Sequence, residues 1–239
     1  MPPYSASRKE HEENKGFPRK EVVVISLGGS LIIQDEVNVK FLNEFKKVLN
    51  ENKNKYKFVI VCGGGKTARK YISALKNKTL QSYIGISATR MNARLISYIF
   101  GIDQKEIPHT FENVKKHLET ENFVFCGALE YKEDQTSDST SAEIAKKLNA
   151  RFINMTNVKG LYTKDPNKLK DAKLITDITY EEFDKIIQKI KYQPGQHFVL
   201  DQKASKIIMQ NQIPTFIIKE PKELNNILKN KKFIGTIIK

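Results

Sequence analysis

The chain alternates between short, unbroken apolar runs and longer stretches of amphipathic character. Val22-Val23-Val24-Ile25-Ser26-Leu27 is nearly all β-branched and stops at Gly28-Gly29-Ser30. A continuous apolar run halted by glycines predicts a strand covered on both faces, since a strand with one wet face would alternate. Phe41, Leu42, Phe45, Val48 and Leu49 follow at helical spacing. The unit then repeats. Phe58-Val59-Ile60-Val61-Cys62 runs into Gly63-Gly64-Gly65, and Ala68, Tyr71, Ile72 and Leu75 mark a second helix. Further helices are predicted near 87–99 and 111–119, and a third strand at Phe123-Val124-Phe125-Cys126-Gly127. Thr140-Ser141-Ala142-Glu143 has the form of a capping box, with Ile144, Ala145 and Leu148 behind it. Phe152-Ile153-Asn154-Met155 predicts a fourth strand, and the turn-rich stretch 156–179 a β-hairpin. Helices near 180–190, 201–211 and 221–229 and closing strands over Ile213–Ile218 and Phe233–Ile238 complete the pattern. Strands alternating with helices predict an α/β fold with a mostly parallel sheet covered on both faces.

Composition narrows the possible classes. No apolar run in the 239 residues approaches the roughly 20 that a membrane-crossing helix needs. Residues 1–20 are polar, contain Pro2, Pro3 and Pro18, and read as a disordered tail without the apolar core of a signal peptide. Glu10, Glu12 and Glu13 argue against a transit peptide, so the cytoplasm is the expected compartment. Cys62 and Cys126 sit inside apolar runs and read as free buried thiols. His11, His109, His117 and His197 lack metal-ligand spacing.

The net charge of +14 points to a polyanionic partner: nucleic acid, a membrane surface or phosphorylated small molecules. It is not spread evenly. Eleven Lys and Arg between Lys40 and Lys78 face only Glu44 and Glu51, a local excess of nine around the second glycine cluster. The aromatic-interleaved basic stripe of RNA binders is missing. Glycines let backbone N–H groups approach a phosphate closely, and a following helix N-terminus adds a favourable dipole. Two such clusters, one followed by Lys66 and Arg69, therefore point to phosphate binding, with these two side chains assigned to the ligand. Gly65-Lys66-Thr67 is not a Walker A loop, because the earlier glycine that motif requires is Ile60 here. A dinucleotide G-x-G-x-x-G is also absent.

Six blocks occur in order: Gly28-Gly29-Ser30; Gly63-Gly64-Gly65-Lys66-x-Ala68-Arg69-Lys70-Tyr71-Ile72; Ile84-Gly85-Ile86-x-x-Thr89-Arg90-x-Asn92-Ala93; Thr136-Ser137-Asp138; Thr156-Asn157-Val158-Lys159-Gly160-Leu161-Tyr162-Thr163-x-Asp165-Pro166; and Asp201-x-x-Ala204-x-Lys206-Ile207-Ile208. Together they resemble the amino acid kinase superfamily, most closely its archaeal-type UMP kinases, over about 21–239. The resemblance implies a three-layer α/β/α sandwich, an acceptor lobe over about 21–150 and an ATP lobe over about 151–239. It implies transfer of the γ-phosphoryl group of ATP to UMP, with Mg²⁺ accompanying ATP, by a homo-oligomer that is a hexamer in the family.

Carried over residue by residue, the resemblance implies that Gly28, Gly29, Gly65, Arg69, Thr156, Asn157, Tyr162 and Asp165 meet ATP. Gly64, Thr136 and Ser137 would meet UMP; Ser82 and Gln135 are placed with them on this chain's own residues, Ser82 offering one hydrogen bond where the family has a carboxylate and Gln135 reading a base edge. Arg69, Asp138 and Lys206 would stand at the transferred group, and no residue is assigned to a resident metal.

The chain departs from the family at several points. Ser26 stands where many members carry lysine, and Ser82 where the family has the aspartate that holds the ribose. Lys159 replaces an acidic residue. Residues 128–135, Ala-Leu-Glu-Tyr-Lys-Glu-Asp-Gln, replace a short Gly/Pro loop around the base; the segment reads either as a wall on which Tyr131 stacks a base or as a solvated loop with no reading role. These departures leave open a kinase for another small phosphate or carboxylate acceptor, or a non-catalytic nucleotide-binding regulator.

Overall fold

The computed structural model describes residues 20–132, 135–189 and 199–239. The expected tail lies outside the described residues except for Lys20, as do His197 and the loop residues Glu133 and Asp134.

The chain order is β1 (Glu21–Leu27), α1 (Gly29–Ile32), α2 (Val39–Asn52), β2 (Tyr56–Cys62), α3 (Gly65–Ser73), α4 (Lys78–Ile99), α5 (Phe111–Thr120), β3 (Phe123–Cys126) and α6 (Ser137–Leu148). There follow β4 (Arg151–Met155), β5 (Leu161–Tyr162), β6 (Leu174–Ile175), β7 (Asp177–Ile178), α7 (Tyr180–Lys189), α8 (Gln202–Asn211), β8 (Thr215–Ile218), α9 (Pro221–Leu228) and β9 (Thr236–Ile238). Seven strands form one sheet in the order β3-β2-β1-β4-β8-β9-β7. The first five are mutually parallel, β9 runs antiparallel to β8, and β5 and β6 form the separate hairpin expected in the turn-rich stretch.

The apolar runs form strands because helices cover both faces of the sheet. On one face Val23, Ile25, Leu27, Phe58 and Ile60 pack with Phe45 and Leu49 of α2, Ile96 of α4 and Leu224 of α9. On the other, Val24, Val59, Val61 and Phe152 pack with Val114 of α5, Ala142 of α6, Phe183 of α7 and Ile208 of α8. The result is the expected α/β/α sandwich. Cys62 and Cys126 belong to opposite faces and are free and buried. Burial pushes the Cys126 thiol to about 12 and Cys62 well above its usual range.

Two sequence expectations shift. The helix expected near 87–99 begins at Lys78, so Ile84-Gly85-Ile86 lies within it. Asn77 caps this start, accepting from the Leu80 N–H. The capping box is real but four residues earlier: Thr136 accepts from the N–H groups of Asp138 and Ser139, and the Ser139 hydroxyl accepts from Thr136 N–H. Thr140 lies inside the helix and donates to the Thr136 carbonyl at 2.8 Å. Both sites offer hydroxyl residues at similar spacing, and the polar run Gln135–Ser139 let the helix extend backwards.

The edge strand β3 is finished by a side chain. Buried Gln104 donates to the Phe125 carbonyl at 2.7 Å and accepts from its N–H at 3.0 Å, occupying backbone groups that an open edge would leave free. The fully buried Phe125 ring meets Phe100 edge-on at 4.9 Å. Phe125→Ala is expected to lower the unfolding free energy by about 3–5 kcal/mol, read by urea denaturation. A loss under about 1 kcal/mol would contradict the packing described.

Candidate active site

Register sets the site. Leu27, the last residue of β1, lies opposite Cys62 of β2 and Met155 of β4. The loops after the three strands therefore leave the sheet side by side. The strand order reverses here: β2 and β3 extend on one side of β1, and β4 and β8 on the other. Ligands of open α/β sheets bind at such a switch point, beyond the carboxyl ends of the strands.

The two glycine loops touch. A Cβ on Gly29 would fall 2.0 Å from the backbone nitrogen of Gly65, so no side chain fits. Gly65 has φ +68°, a left-handed conformation that favours glycine. Gly28 N–H donates to the Met155 carbonyl and Gly63 N–H to the Leu27 carbonyl, both at 2.9 Å. Gly64 caps α3, whose N-terminus opens on this crevice and presents unpaired N–H groups. Arg69 is exposed on the second turn of α3. Lys66 has a different partner from the one expected: its ammonium meets the Asp35 carboxylate at 2.5 Å. That hydrogen bond holds Asp35 below the usual carboxylate range, with the charges of Lys66 and Lys70 adding to it.

A row of polar side chains lies beside the glycines. The buried Ser26 hydroxyl donates to Asp138 Oδ1 at 2.7 Å. Asp138 stands in the first turn of α6, just after the cap Thr136. The Thr136 hydroxyl donates to Asp201 Oδ2, and Asp201 Oδ1 accepts from Ala204 N–H at 2.9 Å as the cap of α8. Burial pushes Asp138 up to about 7; the Asp201 carboxylate adds to the rise and the Ser26 hydrogen bond opposes it. Ser137 is half-buried in the same turn, its carbonyl accepting from Ser141. Lys206 is exposed on α8, five residues past Asp201.

Across β4, half-buried Thr156 and Asn157 open the next loop. Tyr162 lies in the hairpin strand β5, half-buried. Asp165 is exposed and accepts from Asn167 N–H at 2.9 Å, fixing the Asp-Pro turn. Two expected contacts lie apart from this row. Ser82 is exposed in the second turn of α4 and donates to the Lys78 carbonyl at 3.1 Å. Gln135 donates to Thr140 Oγ1 at 3.1 Å and lines a cavity of about 160 Å³ with Phe111, Leu129 and Lys147. Thr140, Glu143 and Lys147 line it from the side of α6 roughly opposite Asp138.

Sequence reasoning missed Asp201 as a member of the site and read Ser26 only as a departure. The Asp-x-x-Ala spacing before an apolar period was a legible cap signal for Asp201; no local signal tied Ser26 to Asp138, 112 residues away. Among the described residues, no three His, Cys, Asp or Glu side chains gather to hold a metal ion, and no helix is long and apolar enough to cross a membrane.

Comparison with known proteins agrees with this fold. The amino acid kinase family profile matches residues 21–219. Uridylate kinase of Thermoplasma volcanium is 35% identical over 224 residues, 91% of this chain and 97% of that protein. Uridylate kinase of Methanococcus aeolicus is 36% identical over 227 residues, 90% of this chain and 98% of that protein. The crystal structure of uridylate kinase from Archaeoglobus fulgidus superposes with a TM-score of 0.79 at 31% identity, covering 91% of this chain and 99% of that one.

The raised Asp138 sets a pH signature. Between its ordinary value of 3.8 and about 7, the folded state holds more protons than the unfolded one, so stability falls as pH rises through that window. Thermal melts from pH 4 to 8 are expected to show wild type losing stability relative to Asp138→Asn. Ser26→Ala is expected to move the upper end of the window higher. A wild-type-to-Asn difference that is flat with pH would refute the shift.

Proposed function

The chain belongs to the amino acid kinase family, and from that premise we propose that it transfers the γ-phosphoryl group of ATP to UMP, giving ADP and UDP. The observation that carries the reading is the shared register of β2, β1 and β4, which opens two glycine loops and the Thr156-Asn157 loop onto one crevice. Donor and acceptor can thus meet over a floor of backbone N–H groups.

Phosphoryl transfer needs positioning and charge neutralisation more than covalent chemistry by the protein. In this reading Gly28, Gly29 and Gly65 admit the phosphates to the backbone, and the N-terminus of α3 faces their charge. Arg69 supplies a planar fork of donors. Thr156, Asn157, Tyr162 and Asp165 hold ATP, with the ATP lobe over about 151–239. Gly64, Thr136 and Ser137 face UMP from the lobe over about 21–150; Ser82, turned to the Lys78 carbonyl on exposed α4, would have to break that bond to join them. Lys206 and Asp138 flank the transferred group. A protonated Asp138 would carry no repulsion toward incoming phosphates. Mg²⁺ would enter with ATP as part of the donor; once Asp138 is ionised, its carboxylate oxygens and those of Asp201 would be of the hard type that suits the ion.

Assembly into a hexamer belongs to the same proposal. Leu80, Ile84, Met91 and Tyr98 are exposed on α4 at spacings of four and seven residues, forming one apolar stripe that a second copy could cover. Light scattering reads the mass.

Coupled ADP release with ATP, Mg²⁺ and a panel of UMP, CMP, dTMP, isopentenyl phosphate and acetylglutamate tests the activity. UMP is expected to be preferred. Indifference to every acceptor, with ATP still bound by calorimetry, would favour a non-catalytic nucleotide binder. Arg69→Ala is expected to lower kcat/KM by about 10²-fold while leaving the thermal midpoint unchanged, since Arg69 is exposed.

A further inference from the structure

The segment Thr89-Arg90-x-Asn92 has no place in the chemistry above, yet it holds two of the site's loops at once. Asn92 is buried in α4, and its amide donates to the Gly63 carbonyl at 2.7 Å. Thr89 Oγ1 accepts from Ala128 N–H at 2.9 Å. The Arg90 guanidinium donates from Nε to the Ala128 carbonyl at 3.3 Å and from Nη2 to the Leu129 carbonyl. Two turns earlier on α4, the Tyr83 ring lies against Tyr131 at 5.2 Å. Gly127 is pressed onto the same helix: a Cβ there would stand 2.4 Å from Thr89 Oγ1 and 2.7 Å from Arg90 N.

We propose that α4 is a positioning bracket, with Arg90 fixing the 127–131 loop against the acceptor and Asn92 fixing the Gly63–Gly65 loop. The inference deepens the UMP kinase reading and rests on it for the identity of the acceptor. Residues 127–129 form no strand, so their backbone groups need partners from elsewhere. Thr89 and Arg90 supply three of them, and the two from Arg90 are charge-assisted. A lysine at position 90 would offer a point charge in place of a planar fork and could not satisfy both carbonyls in the same geometry. Arg90 is half-buried, and desolvation shifts its pKa down, so the side chain is held in place against an electrostatic cost. The Tyr83–Tyr131 ring contact fastens the loop's far side where the chain departs from the family's Gly/Pro loop. The loop is therefore a fixed wall rather than a strap that folds over the acceptor.

The two ends of the bracket act on different steps. Loss of the Arg90 grip loosens only the acceptor wall. Loss of the Asn92 grip frees the glycine loop whose backbone faces the transferred phosphate. Arg90→Ala is thus expected to raise the KM for UMP about tenfold, with kcat and the KM for ATP changing less than about threefold. Arg90→Lys is expected to fall between Ala and wild type. Asn92→Ala is expected to act mainly on kcat.

Hydrogen–deuterium exchange gives a readout that needs no turnover. In Arg90→Ala the peptide spanning 127–131 should exchange at least about tenfold faster, while β1 and β2 peptides stay as in wild type. A merely structural role would lower the thermal midpoint and move all kinetic constants and peptides together. Unchanged exchange at 127–131, or identical kinetic patterns for the Arg90 and Asn92 variants, would overturn the bracket. If wild type fails to bind UMP by calorimetry, the acceptor reading falls, and the exchange experiment still decides whether α4 holds the loop.

Discussion

Everything at this site depends on three parallel strands ending at the same level. Residue 27 pairs with both 62 and 155, and a slip of one residue in either pairing would move the glycine loops apart and send each buried side chain into the opposite core, where its shape does not fit. What prevents a slip is coverage of both faces: Val24 and Ile25 point to opposite cores and both are fully buried. The sheet interior thus sets the geometry of a surface feature. Apolar packing, which carries no chemical information, fixes where backbone N–H groups gather.

On that floor the chain assembles polar groups at some electrostatic cost. Asp201 lies near enough that its carboxylate disfavours charge on Asp138. Ser26 and Thr136 each give a hydroxyl to one of them. A serine at position 26 makes sense in these terms. A short neutral donor stabilises a neighbouring carboxylate without adding a fixed positive charge, so the protonation of Asp138 stays sensitive to what binds nearby. Lysine would hold it ionised.

The longer strands and helices and both glycine clusters were legible because each is local: a run of β-branched residues, a period, a pair of breakers; the short α1 and β7 carry no such signal. The seven-stranded order was not, since nothing in the composition of β9 says that it enters between β8 and β7. The helix cap at Thr136 was missed for a related reason. Thr136 and Thr140 both stand three residues before a polar side chain that can reach back, and it is Ser139 that closes the box on Thr136. Lys66 shows the limit of charge counting. The local excess of nine drew attention to the second glycine loop, but Asp35, 31 residues earlier, takes the Lys66 ammonium. Arg90 and Asn92 stood in a quoted motif without a role, because their partners are backbone atoms of remote loops and backbone atoms have no signature in sequence.

The contact between Gly29 and Gly65 has a consequence on an evolutionary scale. Most packing conflicts in proteins can be relieved by shrinking a neighbour, so a new side chain at one position can be tolerated after a change at another. Here the neighbour is a main-chain nitrogen 2.0 Å from where a Cβ would stand, and no substitution makes a peptide bond smaller. Descendants of this chain could exchange the surface of α2, remodel the loop after Gly127 or change acceptor by gradual drift. At Gly29 no permissive step exists, so that crossing of two loops is expected to persist unchanged while the rest of the molecule varies around it.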